Sequence, residues 1–157
     1  MAAEFEGRSV LITGAAGGFG RVLTRAFAER GAHVLAADVA ADSLAALAEE
    51  MKADGIADRV TTRTVDISDH EACVRAVAAA SEQRGHLDIL INNGALSMNV
   101  ISPYHMTEMV EIEAIEPTVW DKFLAVNMSG GWYLTRAAVP GMKKAGWGRI
   151  INVTTSF

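Results

Sequence analysis

The sequence predicts an α/β fold: a mostly parallel, doubly wound sheet between two layers of helices. Three observations predict it. Short apolar runs alternate with stretches whose apolar residues recur at three- and four-residue steps, the marks of buried strands and amphipathic helices. The connections are long enough to be crossovers, so successive strands run parallel. The strand runs are also apolar at nearly every position, as expected where helices cover both faces of a sheet.

The first run, Val10-Leu11-Ile12, is followed at once by glycines at 14, 18 and 20. A helical pattern then carries Phe19, Val22, Leu23, Ala26 and Phe27. Strand, glycine-rich turn and helix N-terminus together form a phosphate-binding device, because the backbone can approach an anion and unpaired N–H groups favour negative charge. The spacing T-G-x-x-x-G-x-G differs from G-x-G-x-x-G, and no G-K-S or G-K-T occurs, which sets aside ATP or GTP hydrolysis.

Gly31 stops the first helix, and His33 to Ala37 resumes as a strand ending at Asp38. Asp42 to Met51 reads as a second helix with Leu44, Leu47 and Met51 on one side. A third strand, Val60 to Val65, ends in Asp66. Ser68 is the expected N-cap of the next helix, with Glu71 as its capping-box partner and Cys73, Val74 and Val77 inward as far as about Arg84. Leu87 to Ile91 forms a short strand ending in Asn92-Asn93-Gly94.

Residues 96–116 have no clean period, and Pro103 and four glutamates mark them as an excursion with one short helix near Thr107 to Ile112. Its acids are either a solvated surface or a substrate-side elaboration. Pro117 suits the first position of a long helix through Trp120, Phe123, Leu124, Asn127, Trp132 and Leu134 towards Met142. Gly130-Gly131 weakens its middle and suits a close neighbour there. Gly146 to Gly148 ends it, and Ile150 to Thr154 reads as the last strand. In such sheets ligands gather at the C-terminal strand ends, which here hold Gly14, Asp38, Asp66, Asn92-Asn93 and Thr154-Thr155.

Composition narrows the class. The chain of 157 residues is one domain's worth, half hydrophobic and 21% charged, which argues against disorder. A net charge of -5 disfavours a nucleic-acid or anionic-membrane surface. The single cysteine, Cys73, reads as a buried helix residue and fits a reducing compartment. The segment MAAEFEGRS has no long apolar core and no stretch reaches membrane-spanning length, so the cytoplasm is the expected location. The four histidines show no metal-ligand spacing, so no metal is expected.

At this point the sequence resembles the short-chain dehydrogenase/reductase family. The resemblance rests on TGAAGGFG at 13–20, Asp38, the VDI around Asp66, NNGA at 92–95, the AVN ending at Asn127 and GRIINVTT at 148–155. It covers essentially the whole chain and implies a Rossmann-like fold that binds NAD. NNGA inverts the last two letters of the family's usual N-N-A-G. The resemblance implies that Gly14, Gly18, Phe19 and Gly20 form the pyrophosphate loop. It implies that Asp38 accepts the adenosine-ribose hydroxyls, although Asp38 alone could be an ordinary turn acid. Asp66 would bind the adenine amine with Ile67 covering the ring, and Asn93 and Gly94 would lie along the cofactor. Asn127 matches the asparagine that holds a water in the proton relay. Thr155 falls at the family's catalytic serine, 28 residues past Asn127, with Ser156 its competitor.

The family's tyrosine acid/base and the lysine four positions after it would both fall beyond Phe157. The expectation is therefore an incomplete domain, part of a longer enzyme that interconverts an alcohol and a carbonyl by direct hydride transfer. The family also implies a homo-oligomer, a dimer or homotetramer. The rival reading is a dinucleotide-binding relative without chemistry, serving as a subunit-interaction module. The presence of Y-x-x-x-K in the residues that follow discriminates between them.

Overall fold

The computed structural model describes residues 3–82 and 84–154. Five parallel strands form one sheet in the order β3-β2-β1-β4-β5. They are β1 (Ser9–Thr13), β2 (His33–Asp38), β3 (Val60–Thr64), β4 (Ile89–Asn92) and β5 (Arg149–Asn152). Five α-helices connect them: α1 (Gly18–Glu29), α2 (Ala41–Ala53), α3 (His70–Ser81), α4 (Pro117–Leu124) and α5 (Gly131–Ala145). This is the expected three-layer, doubly wound arrangement.

Strand alternation divides the core in two. Val10, Ile12, Ala36, Ile89 and Ile91 pack with Leu44, Leu47 and Met51 of α2 on one face of the sheet. Leu11, Leu35 and Leu90 pack with Cys73 and Val77 of α3 and Leu134 of α5 on the other. Each wholly buried leucine contributes about 1.5–3 kcal/mol relative to exposure. The central strand β1 is buried at all five positions. The polar strand β3 lies at an edge, where only one side of its backbone is paired.

Several expectations need correction. In α1 the buried positions are Gly20, Thr24 and Ala28; of the apolar pattern, Leu23 and Phe27 pack against the core while Phe19 and Val22 are exposed. The N-cap of α3 is Asp69, not Ser68: Asp69 Oδ1 accepts the N–H of Glu71 at 2.8 Å and of Ala72 at 3.2 Å. Ser68 instead donates its hydroxyl and N–H to Asp66. Helix α3 also ends at Ser81, short of Arg84.

The excursion contains no α-helix at 107–112. It has two single 3-10 turns, Met98–Val100 and Ile112–Ala114. The long helix is interrupted by a π-helical stretch, Ala125–Gly130, that separates α4 from α5. Such wide turns occur where one residue too many is accommodated, frequently at functional sites. The close neighbour expected at Gly130 is Ile67, since a Cβ on Gly130 would lie 2.9 Å from both Ile67 Cγ1 and Ile67 O. Gly146, at φ +71°, caps α5 as expected.

Candidate functional site

The site lies at the C-terminal ends of β1 and β4, where the chain direction of the winding switches. Gly14 leaves β1 at φ +62°, and a Cβ there would stand 2.8 Å from Gly94 Cα, so both conformation and space demand glycine. The next three amides turn inward. Ala15 N–H donates to Ala37 O at 3.0 Å, Ala16 N–H to Asp38 Oδ2 at 3.0 Å, and Gly17 N–H to Gly14 O at 3.2 Å. The amides of Gly18, Phe19 and Gly20 then have no acceptor among the described residues. Three free donors at the start of a 12-residue helix form an anion cradle. A Cβ on Gly20 would lie 2.6 Å from Ala15 Cα, so the turn closes this tightly only with glycine.

The two acids stand beside this cradle in different settings. Asp38 Oδ1 accepts the Ala40 N–H at 3.0 Å while Oδ2 accepts that of Ala16. Two of about four lone-pair positions on the carboxylate are therefore in use. Asp66 Oδ1 takes both donors of Ser68, at 2.9 and 2.7 Å, and Oδ2 has no partner among the described residues. Ile67 forms the adjoining wall, braced by Gly130. Behind it the Cys73 thiol donates to Ile67 O at 3.3 Å. Burial, reinforced by the charges of Asp69 and Asp66, pushes that thiol up to about 11, so Cys73 stays protonated and packs rather than reacts.

Asn93 ties the sheet ends together. Its side-chain N–H₂ donates to Thr13 O at 3.0 Å and Gly14 O at 3.1 Å. The Thr13 hydroxyl in turn accepts the N–H groups of Asn93 and Gly94 at 3.1 and 2.9 Å. A Cβ on Gly94 would meet Gly14 N at 3.1 Å and Thr13 Oγ1 at 3.2 Å, so the inverted NNGA spelling relieves a tight spot.

Asn127 lies within the π-helical stretch. Its Oδ1 accepts the Leu96 N–H at 2.8 Å, and its Nδ2 donates to Leu96 O at 2.9 Å. The side chain thereby fixes the start of the excursion beside the cleft. Among the described residues, one Oδ1 lone pair and one Nδ2 hydrogen have no partner. Thr155 and Ser156, the competing candidates for the catalytic hydroxyl, lie outside the described residues.

These groups line two adjoining hollows. The first, about 420 Å³, is bounded by the glycine turn, Asp38, Asp66, Ile67, Asn93 and Leu96. The second, about 390 Å³, is bounded by Asn127, Trp132, Asn152 and Thr154 among others. Ile67, Gly94, Ala95 and Val126 line both, so they form one groove across the strand ends. Nine of the proposed site residues therefore gather at its first hollow and Asn127 at its second.

Sequence reasoning missed Thr13, Leu96 and Lys122. Thr13 had a usable signal, a hydroxyl ending an otherwise apolar strand. Lys122 of α4 lines the first hollow and has no carboxylate within ion-pair distance among the described residues. Nothing in the sequence distinguishes it from a surface lysine.

Residues 8–156 match the short chain dehydrogenase family. The chain is 31% identical over 152 residues to the 3-oxoacyl-acyl-carrier-protein reductase FabG of Thermotoga maritima, covering 97% of this chain and 57% of that protein. It is 33% identical over 150 residues to the D-beta-hydroxybutyrate dehydrogenase of Cupriavidus necator, covering 96% and 54%. A crystal structure of a metagenomic short-chain oxidoreductase in complex with NADP superposes with a TM-score of 0.84 at 25% identity, covering 98% of this chain and 64% of that one. The chain thus spans little more than half the length of these curated relatives. Glycine turn, strand-end acids, paired asparagines and a match across nearly every residue lead to one conclusion: this chain belongs to the short-chain dehydrogenase family.

Proposed function

We propose that the intact protein is an NAD-dependent oxidoreductase that interconverts an alcohol and a carbonyl. The observation that carries this reading is the groove itself: three amides at one helix N-terminus with no acceptor among the described residues, and a half-engaged carboxylate, Asp38, beside them. Two linked hollows suit a ligand with two nucleotide-sized halves joined by a pyrophosphate. The donor set fits that group, and bound NAD would supply hydride acceptance from the alcohol carbon.

The chain's own residues then divide the remaining work. Gly18, Phe19 and Gly20 offer N–H groups to the pyrophosphate while Gly14 holds the turn. Asp38 accepts the adenosine-ribose hydroxyls and repels a phosphate in their place. Asp66 accepts the adenine amine, Ile67 covers the ring, and Asn93 with Gly94 keeps the groove floor in register. Thr155 donates a hydrogen bond to the substrate oxygen. Asn127 uses its remaining donor and acceptor for a relay water, and the family's tyrosine, with the lysine four positions after it, would complete the proton relay. Residues 96–116 shape the substrate side, and the reaction takes place in the cytoplasm.

Assembly is part of the proposal. Trp120, Leu124, Met128 and Trp132 follow one another at four-residue steps through α4, the π-helical stretch and α5, and all are exposed. A homo-oligomer, dimer or homotetramer, would cover this stripe.

The test pairs calorimetric NAD titration with an alcohol-oxidation screen, on residues 1–157 and on the intact protein. The expected result is weak binding without turnover by residues 1–157, and turnover by the intact protein. NAD binding without turnover by an intact protein lacking Y-x-x-x-K would instead establish the binding-module reading. Within an active protein, Thr155→Val should lower kcat about a hundredfold with little change in NAD affinity.

A further inference from the structure

We propose that Arg21 is a positioning residue for dinucleotide selectivity, acting on Asp38 through the backbone of the intervening residue Ala16. The inference rests on the reading of the groove as an NAD site. It begins with Ala16, whose two backbone polar groups, on the peptide units either side of its Cα, are both held. Its N–H donates to Asp38 Oδ2 at 3.0 Å, and its C=O accepts from Arg21 Nε at 2.7 Å. The rest of the guanidinium is anchored on α2: Nη2 donates to Ser43 O at 3.1 Å, and Nη1 pairs with Glu50. Asp38 returns to the segment leading into α2 through the Ala40 N–H. Loop, carboxylate, guanidinium and second helix therefore form a closed circuit of hydrogen bonds around the ribose end of the groove.

Two consequences follow from the chemistry of the parts. A carboxylate that accepts two hydroxyls must keep its plane, and among the described residues Oδ2 is held by the Ala16 N–H, on a residue whose carbonyl Arg21 fixes. A free guanidinium at this place would also attract the additional phosphate of NADP, since Arg forms a planar fork suited to phosphate. Arg21 is not free. Its Nε, Nη1 and Nη2 each have a protein acceptor, so this cation supports the carboxylate that repels the phosphate. Arg25 shares the same anchor, approaching Glu50 at 3.7 Å and Asp54 at 2.6 Å, which holds Glu50 in place.

The experiment measures NAD and NADP dissociation constants by calorimetry for the intact protein and for Arg21→Met, Asp38→Ala and the double variant, with thermal midpoints alongside. Arg21→Met should weaken NAD about fivefold, the scale of one lost hydrogen bond, and NADP by less than about twofold. In the Asp38→Ala background the same substitution should change NAD affinity by less than about twofold, because the two residues act in series. Equal weakening of both nucleotides, an undiminished effect without Asp38, or no effect would each overturn the proposal. An unsubstituted protein that prefers NADP would overturn the NAD reading as well, whereas NAD preference with parallel losses removes only the role of Arg21. Should Arg21→Met not fold, Glu50→Gln retains the arginine and loosens its anchor. It should reduce the NAD-to-NADP preference about threefold, partly by tightening NADP, and an unchanged preference would overturn the proposal.

Discussion

The side-chain amide of Asn127 is hydrogen-bonded on both its polar atoms to the backbone of a single residue, Leu96, at 2.8 and 2.9 Å. The contact joins the π-helical stretch to the first residue of the excursion, 31 positions away in sequence. It copies the pairing of two strands with one side chain, and it fixes the chain where it turns away from β4. Leu96 lines the first hollow and Asn127 the second.

Removing that amide should loosen the excursion before it affects the core. Asn127→Ala is expected to cost about 2 kcal/mol, two partly buried hydrogen bonds at their usual net value. Urea unfolding measures the loss, and limited proteolysis should show faster cleavage between residues 96 and 116. In the intact protein kcat should fall further than NAD affinity, because the adenosine end of the groove does not touch Asn127. Unchanged proteolysis would refute the clamp.

Asp38 should decide between the dinucleotides. The protein is expected to prefer NAD over NADP at least tenfold, about 1.4 kcal/mol. No basic residue stands at Gly17 or Val39 to receive the additional phosphate. Asp38→Ala should weaken NAD and narrow the gap, read from dissociation constants of both cofactors. Equal or tighter NADP binding by the unsubstituted protein would contradict the assignment.

Two glycines only two positions apart, Gly18 and Gly20, should behave differently. A Cβ on Gly20 would press on Ala15 Cα at 2.6 Å, whereas one on Gly18 meets nothing within 4 Å. Gly20→Ala should therefore destabilise the fold by about 1–3 kcal/mol, the usual cost of overpacking. Gly18→Ala should leave stability within about 1 kcal/mol, the ordinary gain or loss from a glycine-to-alanine change near a helix start. Its effect should appear in the NAD titration, where the added methyl stands beside the free amides. Thermal unfolding and calorimetry on the two variants separate fold from binding.

At the opposite end of the sheet, Asp88 should control acid stability. Its side chain is fully buried, with Arg8 at 2.8 Å, Arg84 at 2.9 Å, His86 at 3.3 Å and the N–H of Ser9 at 2.9 Å. Burial by itself would push this carboxyl up. The Ser9 N–H, Arg8, the Ser9 hydroxyl and the Arg84 charge outweigh burial and hold it below 3.8. A carboxyl lowered in the folded state stabilises the fold above its unfolded pKa, and that stability is lost as pH falls through the folded value. Stability should therefore drop on acidification below about pH 4, and Asp88→Asn should flatten that part of the profile. At pH 7 the same substitution should cost about 3 kcal/mol, since it leaves buried donors facing a neutral group. Urea midpoints from pH 3 to 7 test both statements.

The sequence alone determined the order of strands and helices and the residues that meet at the strand ends. Those features are local: apolar runs with period 2 or 3.6, and glycines, acids and asparagines placed immediately after the runs. Gly14, Asp38, Asp66 and Asn93 were legible because a strand delivers its last residue to the sheet edge whatever surrounds it. Caps and helix interruptions were less legible. Ser68 and Asp69 are both competent N-caps, and the choice of Asp69 followed from the competing hydrogen bonds of Ser68 with Asp66. The π-helical stretch at Ala125–Gly130 joins the Asn127–Leu96 clamp and the packing of Gly130 on Ile67, contacts between residues far apart in the chain. The same holds for the circuit through Ala16, Asp38, Arg21 and Glu50, which joins four separate elements. Only the tertiary structure could decide these, because a polar side chain's partner depends on which of several nearby donors or acceptors folding brings within 3 Å, and no periodicity records that distance.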